Sequence, residues 1–206
     1  GVPDSGIGIG RVAAATHWHP AGLPAGMAPG LYETALVTPD VLDAPDSADR
    51  VASAVTFGFI CDLAAVEIDP QTGRVRIERY ASVHDVGRIL NPIIVEGQVR
   101  GGFAHGFGAA MFEELIYDED GNFLSGTFAD YLCPTAADLP PLELAHSRTD
   151  SPQNSLGSKG MGDGSSMLTP VVMANAVSDA LDRDDIELPL TLDKVWRLAN
   201  DGKGQS

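Results

Sequence analysis

Residues 57–80 read FGFICDLAAVEIDPQTGRVRIERY, and this stretch sets the fold class. Its first half is apolar and rich in β-forming residues, and residues 74–80 alternate polar with apolar side chains. Asp69-Pro-Gln-Thr-Gly73 separates the halves with turn-forming residues and ends on a glycine. The stretch predicts a β-hairpin with one exposed face, because successive strand residues point to opposite faces of a sheet.

Helix signals follow the hairpin. Asn91 is a good N-cap and Pro92 fits a first helical turn, so they predict a helix that runs to Glu114. A second helix is expected at 169–181, with Pro170 at its first position. Shorter elements are expected as a second hairpin at 115–124, a strand at 142–149 and a terminal helix at 191–198, in which Leu192, Val195 and Trp196 point inward. The predicted fold is α+β, with β-hairpins and a mixed sheet packed against two main helices.

The N-terminal quarter has a different composition. Residues 1–50 are rich in glycine, proline and alanine, which predicts an extended segment ahead of a domain at 51–206. Thr16-His-Trp-His19 lies in this segment, where two histidines beside Trp18 fit either an extended surface strand or the wall of a pocket. Leu31–Val37 is expected to form a short strand.

Composition narrows the possible partners. The 206 residues carry a formal net charge of −16, which argues against nucleic acid and against anionic membrane surfaces, since both are bound by basic side chains. No apolar run approaches membrane-spanning length and no signal-peptide pattern is present. Cys61 and Cys133 lack metal-site spacing, so we expect no metal ligands in this chain and interpret both as reduced core thiols of a cytoplasmic protein.

The helix predicted from Asn91 contains an unusual number of glycines. Gly97, Gly101 and Gly108 share one face, although glycine inside a helix costs about 1 kcal/mol relative to alanine. Two explanations stay open: close packing against another backbone, or contact with a flat cofactor. Gln98 and His105 are seven residues apart and therefore lie on one helical face. The amide of Gln98 offers donors and an acceptor, which suits a pterin or another ring with an amide-bearing edge.

A glycine-rich loop precedes the second helix. Gly157-Ser-Lys-Gly-Met-Gly-Asp-Gly164 places one carboxylate, Asp163, between glycines that let the backbone approach a ligand closely. The backbone N–H groups of Gly160, Gly162 and Gly164 are candidate donors to a cofactor, as expected for a loop near a helix start. A solvated surface turn is the competing interpretation.

Four strings in order carry a resemblance to a known family. They are Val66-Glu-Ile-Asp-Pro-Gln-Thr-Gly-Arg-Val75, Val83-His-Asp-Val-Gly-Arg-Ile-Leu-Asn-Pro92, Val95-Glu-Gly-Gln-Val-Arg-Gly-Gly102, and Ser158-Lys-Gly-Met-Gly-Asp163 followed by Ala174-Asn-Ala-Val177. The chain resembles the C-terminal part of the molybdopterin-binding (large) subunit of the xanthine dehydrogenase, aldehyde oxidase and carbon monoxide dehydrogenase family. The resemblance is strongest from about residue 57 to 181 and implies half of a larger molybdenum-cofactor-binding unit.

The resemblance assigns roles to two side chains. Gln98 stands where the family's glutamine contacts the molybdenum cofactor. Asp163 stands where the family has the glutamate that acts as general base beside the metal. Aspartate is one methylene shorter, about 1 Å, and a displacement of that size can cost on the order of 100-fold in rate. The glycines of the loop give it freedom to shift and compensate.

The resemblance also implies a function. It predicts oxidative hydroxylation of an N-heterocycle or an aldehyde with water as the oxygen source. The cofactor would be molybdenum–molybdopterin, with the cytosine dinucleotide form left open, and iron–sulfur and FAD subunits would take up the electrons. The chain would be a fragment or a split subunit, because the remaining molybdopterin-binding segments are absent from it. Two alternatives stay open: a non-catalytic assembly subunit, and the carbon monoxide dehydrogenase subclass.

Overall fold

The computed structural model describes residues 6–32 and 34–201. It divides the chain into two compact units, Gly1–Leu42 and Asp43–Ser206. The boundary expected between residues 50 and 51 stays a prediction. In the first unit a helix, α1, spans Ile9–Trp18 and a short 3-10 helix spans Pro20–Gly22. The surface strand expected at 16–19 is therefore wrong, because these residues end α1, and the described residues of Leu31–Val37 form no strand either.

The second unit is built on a mixed three-stranded sheet. Strands β1 (Phe59–Asp69) and β2 (Arg74–Asp85) form the predicted hairpin, with Phe59 opposite Asp85 and Asp69 opposite Arg74. Strand β3 (Leu142–Ser147) joins the other edge of β2 in parallel. The burial of β1 alternates strictly along its length, because successive residues of a pleated strand point to opposite faces of the sheet. The expected α+β class with a mixed sheet is confirmed.

Three helices complete this unit: α2 (Pro92–Met111), α3 (Gly164–Leu181) and α4 (Leu192–Asn200). The predicted start of α2 is confirmed, since the Asn91 side chain accepts hydrogen bonds from the backbone N–H groups of Ile93 and Ile94. The start expected for α3 is wrong. The helix begins at Gly164, so Pro170 lies inside it, where Thr169 donates its hydroxyl hydrogen to the carbonyl of Ser165.

Aromatic and aliphatic side chains from the sheet and helices form the core. Tyr80 of β2 meets Phe103 of α2 edge-on at 4.6 Å between ring centroids, and Phe103 stacks on Phe107. Met173 and Val177 bring α3 onto this cluster, and both are fully buried. The packed core holds β2, α2 and α3 in fixed relation, and these are the elements that position the candidate site.

Several local expectations are corrected. Cys61 and Cys133 are exposed, because Cys61 lies on the outward face of β1 and Cys133 in a loop, so neither is a core thiol. The hairpin expected at 115–124 is reduced to one bridge between Tyr117 and Phe123. In the terminal helix, Val195 is buried as predicted. Leu192 and Trp196 were also expected to point inward, but both are exposed. Within the described ranges, no helix is long and apolar enough to cross a membrane.

The glycines of α2 that permit close packing differ from those expected. A Cβ at Gly106 would lie 2.8 Å from Thr169 Cβ and 2.9 Å from the Ser166 carbonyl of α3. No described atom lies within 4 Å of a Cβ built at Gly97 or Gly101. The close approach to α3 is therefore made by the opposite face of α2, and the face that carries Gly97 and Gly101 is open.

This arrangement predicts opposite effects of two glycine substitutions. Gly106→Ala is expected to lower the free energy of unfolding by about 1–3 kcal/mol, because the methyl group forces α2 and α3 apart. Gly101→Ala is the matched control, and it should raise stability by up to about 1 kcal/mol through helix propensity alone. Denaturant unfolding of both variants measures the difference, and equal shifts would contradict the packing described above.

Candidate functional site

The glycine loop, residues 157–163, is joined to the end of β2 by backbone hydrogen bonds. The N–H of Lys159 donates to the carbonyl of Val86 at 2.9 Å, and the N–H of Arg88 donates to the carbonyl of Gly157 at 3.0 Å. Gly87 lies between these two contacts with φ +63°, and a Cβ there would collide with the Gly157 carbonyl. Position 87 thus requires glycine for its backbone conformation and for the approach of the loop.

A buried ion pair reinforces this junction. Lys159 Nζ lies 3.3 Å from Asp85 Oδ2 and 2.7 Å from Thr149 Oγ1, and the two charged side chains are only 8% and 9% exposed. The Asp85 carboxylate also accepts hydrogen bonds from the Thr149 hydroxyl and from the backbone N–H groups of Thr149 and Gly87. These donors, the Thr149 hydroxyl foremost, hold the pKa of Asp85 well below its usual range. The side chain of Lys159 thus connects the glycine loop to the end of β2.

The carboxylate of Asp163 lies at the far end of the loop. Asp163 is the N-cap residue of α3, yet among the described residues its side chain makes no capping hydrogen bond. Its backbone carbonyl instead accepts from the N–H and the hydroxyl of Ser166, and the residue is exposed. Asp163 lines a cavity of about 400 Å³ together with Gly160 and Gly164. A carboxylate in this position is available to a bound molecule.

Gln98 is brought next to the same loop. Its side chain is exposed on α2, and Nε2 donates to the carbonyl of Gly162 at 3.3 Å, which leaves Oε1 as a further acceptor. The open face with Gly97 and Gly101 flanks it. His105, the other polar residue of the predicted pair, is exposed two turns further along. The site residues predicted from the sequence, Gln98 on α2 and Asp163 in the loop, therefore lie around one surface.

These residues suit a polar, flat cofactor. Gln98 supplies an amide, and Gly160 leaves open space where any other residue would place a side chain, since no described atom lies within 4 Å of its Cβ position. Gly164 differs, because a Cβ there would collide with Ile60 of β1, so this glycine also serves close packing on the sheet. Within residues 6–32 and 34–201, no three His, Cys, Asp or Glu side chains gather as a metal site.

A second polar group lines the cavity, and the sequence analysis assigned it no role. His84 of β2 is completely buried and lines the cavity, and its Nε2 lies 2.8 Å from the hydroxyl oxygen of Ser82. Ser82 in turn donates to Asp62 of β1, which also accepts from the Tyr80 hydroxyl at 2.7 Å. Burial lowers the pKa of His84 and raises the pKa of Tyr80. Alternation along β2 was the available signal, because it places residues 80, 82 and 84 on one face.

The chain is similar in sequence to known proteins. Residues 3–140 match the family described as the molybdopterin cofactor-binding domain. The nicotine 6-hydroxylase large subunit of Paenarthrobacter nicotinovorans is 40% identical over 200 residues, which cover 96% of this chain and 23% of that protein.

Two solved structures share the fold. The chain superimposes on a Cu,Mo-CO dehydrogenase with a TM-score of 0.76 at 30% identity, covering 97% of this chain and 24% of that one. For the quinoline 2-oxidoreductase of Pseudomonas putida 86 the TM-score is 0.74 at 33% identity, covering 98% and 24%. The chain thus spans about a quarter of the length of the relatives that it matches.

Proposed function

The chain belongs to the molybdopterin cofactor-binding family, that of the xanthine dehydrogenase, aldehyde oxidase and carbon monoxide dehydrogenase large subunits, and from this premise we propose that it forms part of the catalytic site of a molybdenum hydroxylase. The reaction is oxidative hydroxylation of an N-heterocycle or an aldehyde, with water as the oxygen source. The observation that carries this proposal is the placement of Gln98 and Asp163 around one glycine loop.

An N-heterocycle is the favoured substrate class. Two of the similar proteins are named for nicotine and quinoline, both of which are N-heterocycles. The cavity beside Asp163 has apolar walls with few polar groups, as small-molecule sites commonly do. Aldehydes remain the second class, because similar proteins also include aldehyde oxidoreductases.

The roles of the chain's own residues follow from their positions. Gln98 and the backbone N–H groups of Gly160, Gly162 and Gly164 would hold the molybdopterin, which supplies the two-electron oxidation when it is bound. The Asp163 carboxylate would accept a proton from the water that provides the oxygen atom, for which it must come within about 3 Å of that proton, directly or through one further water. The Asp85–Lys159 pair fixes the loop that carries this base.

The proposed complex contains further chains. Because this chain spans about a quarter of its relatives, the remaining molybdopterin-binding segments must complete the site. Iron–sulfur and FAD subunits would accept the electrons. The two cysteines at 61 and 133 are too few to ligate an iron–sulfur cluster within this chain. The cofactor is proposed as molybdopterin, in its plain form or as the cytosine dinucleotide.

Metal and pterin analysis of the complex purified from its own host tests the proposal. Stoichiometric molybdenum together with a pterin is the expected result. A folded, intact complex without molybdenum would contradict it and favour the second candidate, a non-catalytic assembly subunit. The observation that favours this candidate is aspartate at position 163, where the family carries glutamate.

Loss of the Gln98 amide should reduce cofactor retention. In Gln98→Ala we expect molybdenum and pterin content of the complex to fall by about tenfold after dialysis, because about 1.4 kcal/mol of hydrogen bonding to the cofactor is lost. Gln71→Ala, in the turn between β1 and β2, is the matched control and should retain full occupancy. Equal metal content in the two variants would remove Gln98 from the cofactor site.

A further inference from the structure

The outward face of the sheet, opposite the face that packs on the core, has two halves of different chemistry. Residues directly opposite one another in neighbouring strands share a face, so the strand register shows which side chains lie together. Toward the β1–β2 turn this face carries charged side chains in exposed ion pairs, namely Glu67–Arg76, Arg76–Glu78 and Arg79–Glu143. The other half carries an apolar patch, formed by Phe59, Cys61, Leu63, Ala65, Ala81, Val83 and Ala145.

The apolar patch is exposed to solvent in this chain. Phe59 is 67% exposed, Leu63 68% and Val83 39%. A sheet face in contact with water normally carries polar side chains, and the charged half of this same face does so. A contiguous exposed apolar patch with a polar border is typical of a surface that another element covers. Its alanines keep the floor of the patch shallow, so a covering element can approach the sheet closely.

The apolar patch is continuous with the candidate cofactor site. Phe59 belongs to the patch and also lines the cavity beside Asp163. Asp85 lies opposite Phe59 in the strand register, and Lys159 Nζ of the glycine loop lies 5.5 Å from the centre of the Phe59 ring. An element that covers the patch therefore also reaches the glycine loop.

This continuity favours one occupant. The chain spans about a quarter of the length of its relatives, so the occupant can come from the rest of a large subunit, which must reach the glycine loop to complete the site. A second copy of this chain is a poorer occupant, because two chains with a formal net charge of −16 repel each other.

We propose that the apolar patch is the docking surface for the remaining segments of the molybdopterin-binding large subunit, which cover it with an apolar face. The charged half of the sheet stays in water, and the Arg79–Glu143 pair forms the border between the two halves. This inference goes beyond the proposed function, because it concerns assembly and holds whether or not the complex turns over a substrate.

Cys61 lies inside the patch, so its reactivity measures the cover directly. The intact complex is treated with N-ethylmaleimide, then unfolded, treated with an isotopically heavy form of the reagent and digested for peptide mass spectrometry. We expect alkylation of Cys61 to be at least about tenfold slower in the intact complex than in the unfolded chain, because the reagent reaches a covered thiol only when the cover opens. Glu67→Cys is the matched control. It lies on the same face of β1 in the charged half, and its thiol should react about as fast as in the unfolded chain.

A photo-cross-linker identifies the element that covers the patch. The amino acid p-benzoylphenylalanine is introduced at Leu63, in the middle of the patch, and the complex is irradiated and digested. The expected product joins this position to a peptide of the remaining molybdopterin-binding segments. A product with a second copy of this chain, with another part of this chain, or with the iron–sulfur or FAD subunit would overturn the assignment of the occupant.

A charge placed in the patch should release the cover. In Leu63→Glu we expect alkylation of Cys61 in the complex to rise by at least about tenfold, because an unpaired carboxylate is poorly tolerated in an apolar interface. Leu63 is largely exposed in this chain, so the substitution should leave the chain's own core folded. Hydrogen exchange of the α2 amides in the same sample checks this, and the labelling of the unsubstituted complex decides the question even where the variant unfolds.

Three labelling results would overturn the inference. They are fast alkylation of Cys61 in the intact complex, equal protection of Cys61 and of the thiol in Glu67→Cys, and unchanged protection of Cys61 in a folded Leu63→Glu complex. None of these measurements depends on molybdenum. A complex without molybdenum in which Cys61 is protected contradicts only the proposed function, whereas one with molybdenum in which Cys61 reacts fast contradicts only this inference.

Discussion

Replacing Asp163 with alanine is expected to lower the turnover of the native complex by at least about 100-fold while its molybdenum content stays unchanged. A general base contributes on the order of 100- to 10,000-fold, and the exposed carboxylate makes no capping hydrogen bond whose loss would disturb α3. Steady-state kinetics and metal analysis on one preparation give both quantities. The free side chain and its position at the cavity make Asp163 the best candidate for proton transfer in this chain.

Three further variants make this experiment decisive. Asp163→Asn keeps the shape and removes the base, so it should lose as much activity as the alanine variant. Asp179→Ala removes an exposed carboxylate from the other end of α3 and should leave turnover unchanged. Turnover at the native level in Asp163→Ala would exclude the assignment as base. A rise in Asp163→Glu would show that the shorter side chain weakens the site.

Breaking the Asp85–Lys159 pair should have the largest effect on stability. Lys159→Ala leaves the Asp85 carboxylate buried without its cation, and loss of one partner of a buried pair costs about 3–5 kcal/mol. We expect a corresponding fall in the free energy of unfolding, measured by denaturant titration. Arg79→Ala is the control, because the Arg79–Glu143 pair is well exposed and should contribute less than about 1 kcal/mol.

The pH dependence of Asp85 variants provides a second measurement. The folded state lowers the pKa of Asp85, so its contribution is complete above the unfolded pKa of about 3.9 and is lost as the pH falls through the lower, folded value. The difference in unfolding free energy between the native protein and Asp85→Asn should therefore be constant at neutral pH and shrink in acid. A difference that grows in acid would contradict the ion pair.

Local sequence patterns were sufficient for the elements formed by near neighbours. The apolar run, the turn and the alternation in residues 74–80 predicted the β1–β2 hairpin, and the Asn91 side chain caps α2 as its sequence position indicated. The motif strings identified Gln98 and Asp163 through a family resemblance. The predictions of the hairpin and of the α2 cap are confirmed because strand pleat and helix capping depend on residues only a few positions apart, whereas the roles of Gln98 and Asp163 stay predictions.

The sequence failed where a feature depends on distant partners. Pro170 suggested a helix start, but α3 begins at Gly164. Gly106, which was not singled out by its spacing, is the glycine that lets α3 approach α2. In both cases the packing between helices decided the outcome, and single-helix patterns carry no information about the facing helix.

The sequence by itself determined the hairpin, the capped helix and the family to which the chain belongs. Only the tertiary structure placed β3 parallel to β2, joined Asp85 to Thr149 across 64 positions and aligned Tyr80, Ser82 and His84 with Asp62. The physical reason is the range of the interactions. Backbone sterics and caps act between neighbours in the chain, whereas burial removes water from groups far apart in sequence and obliges them to pair with one another.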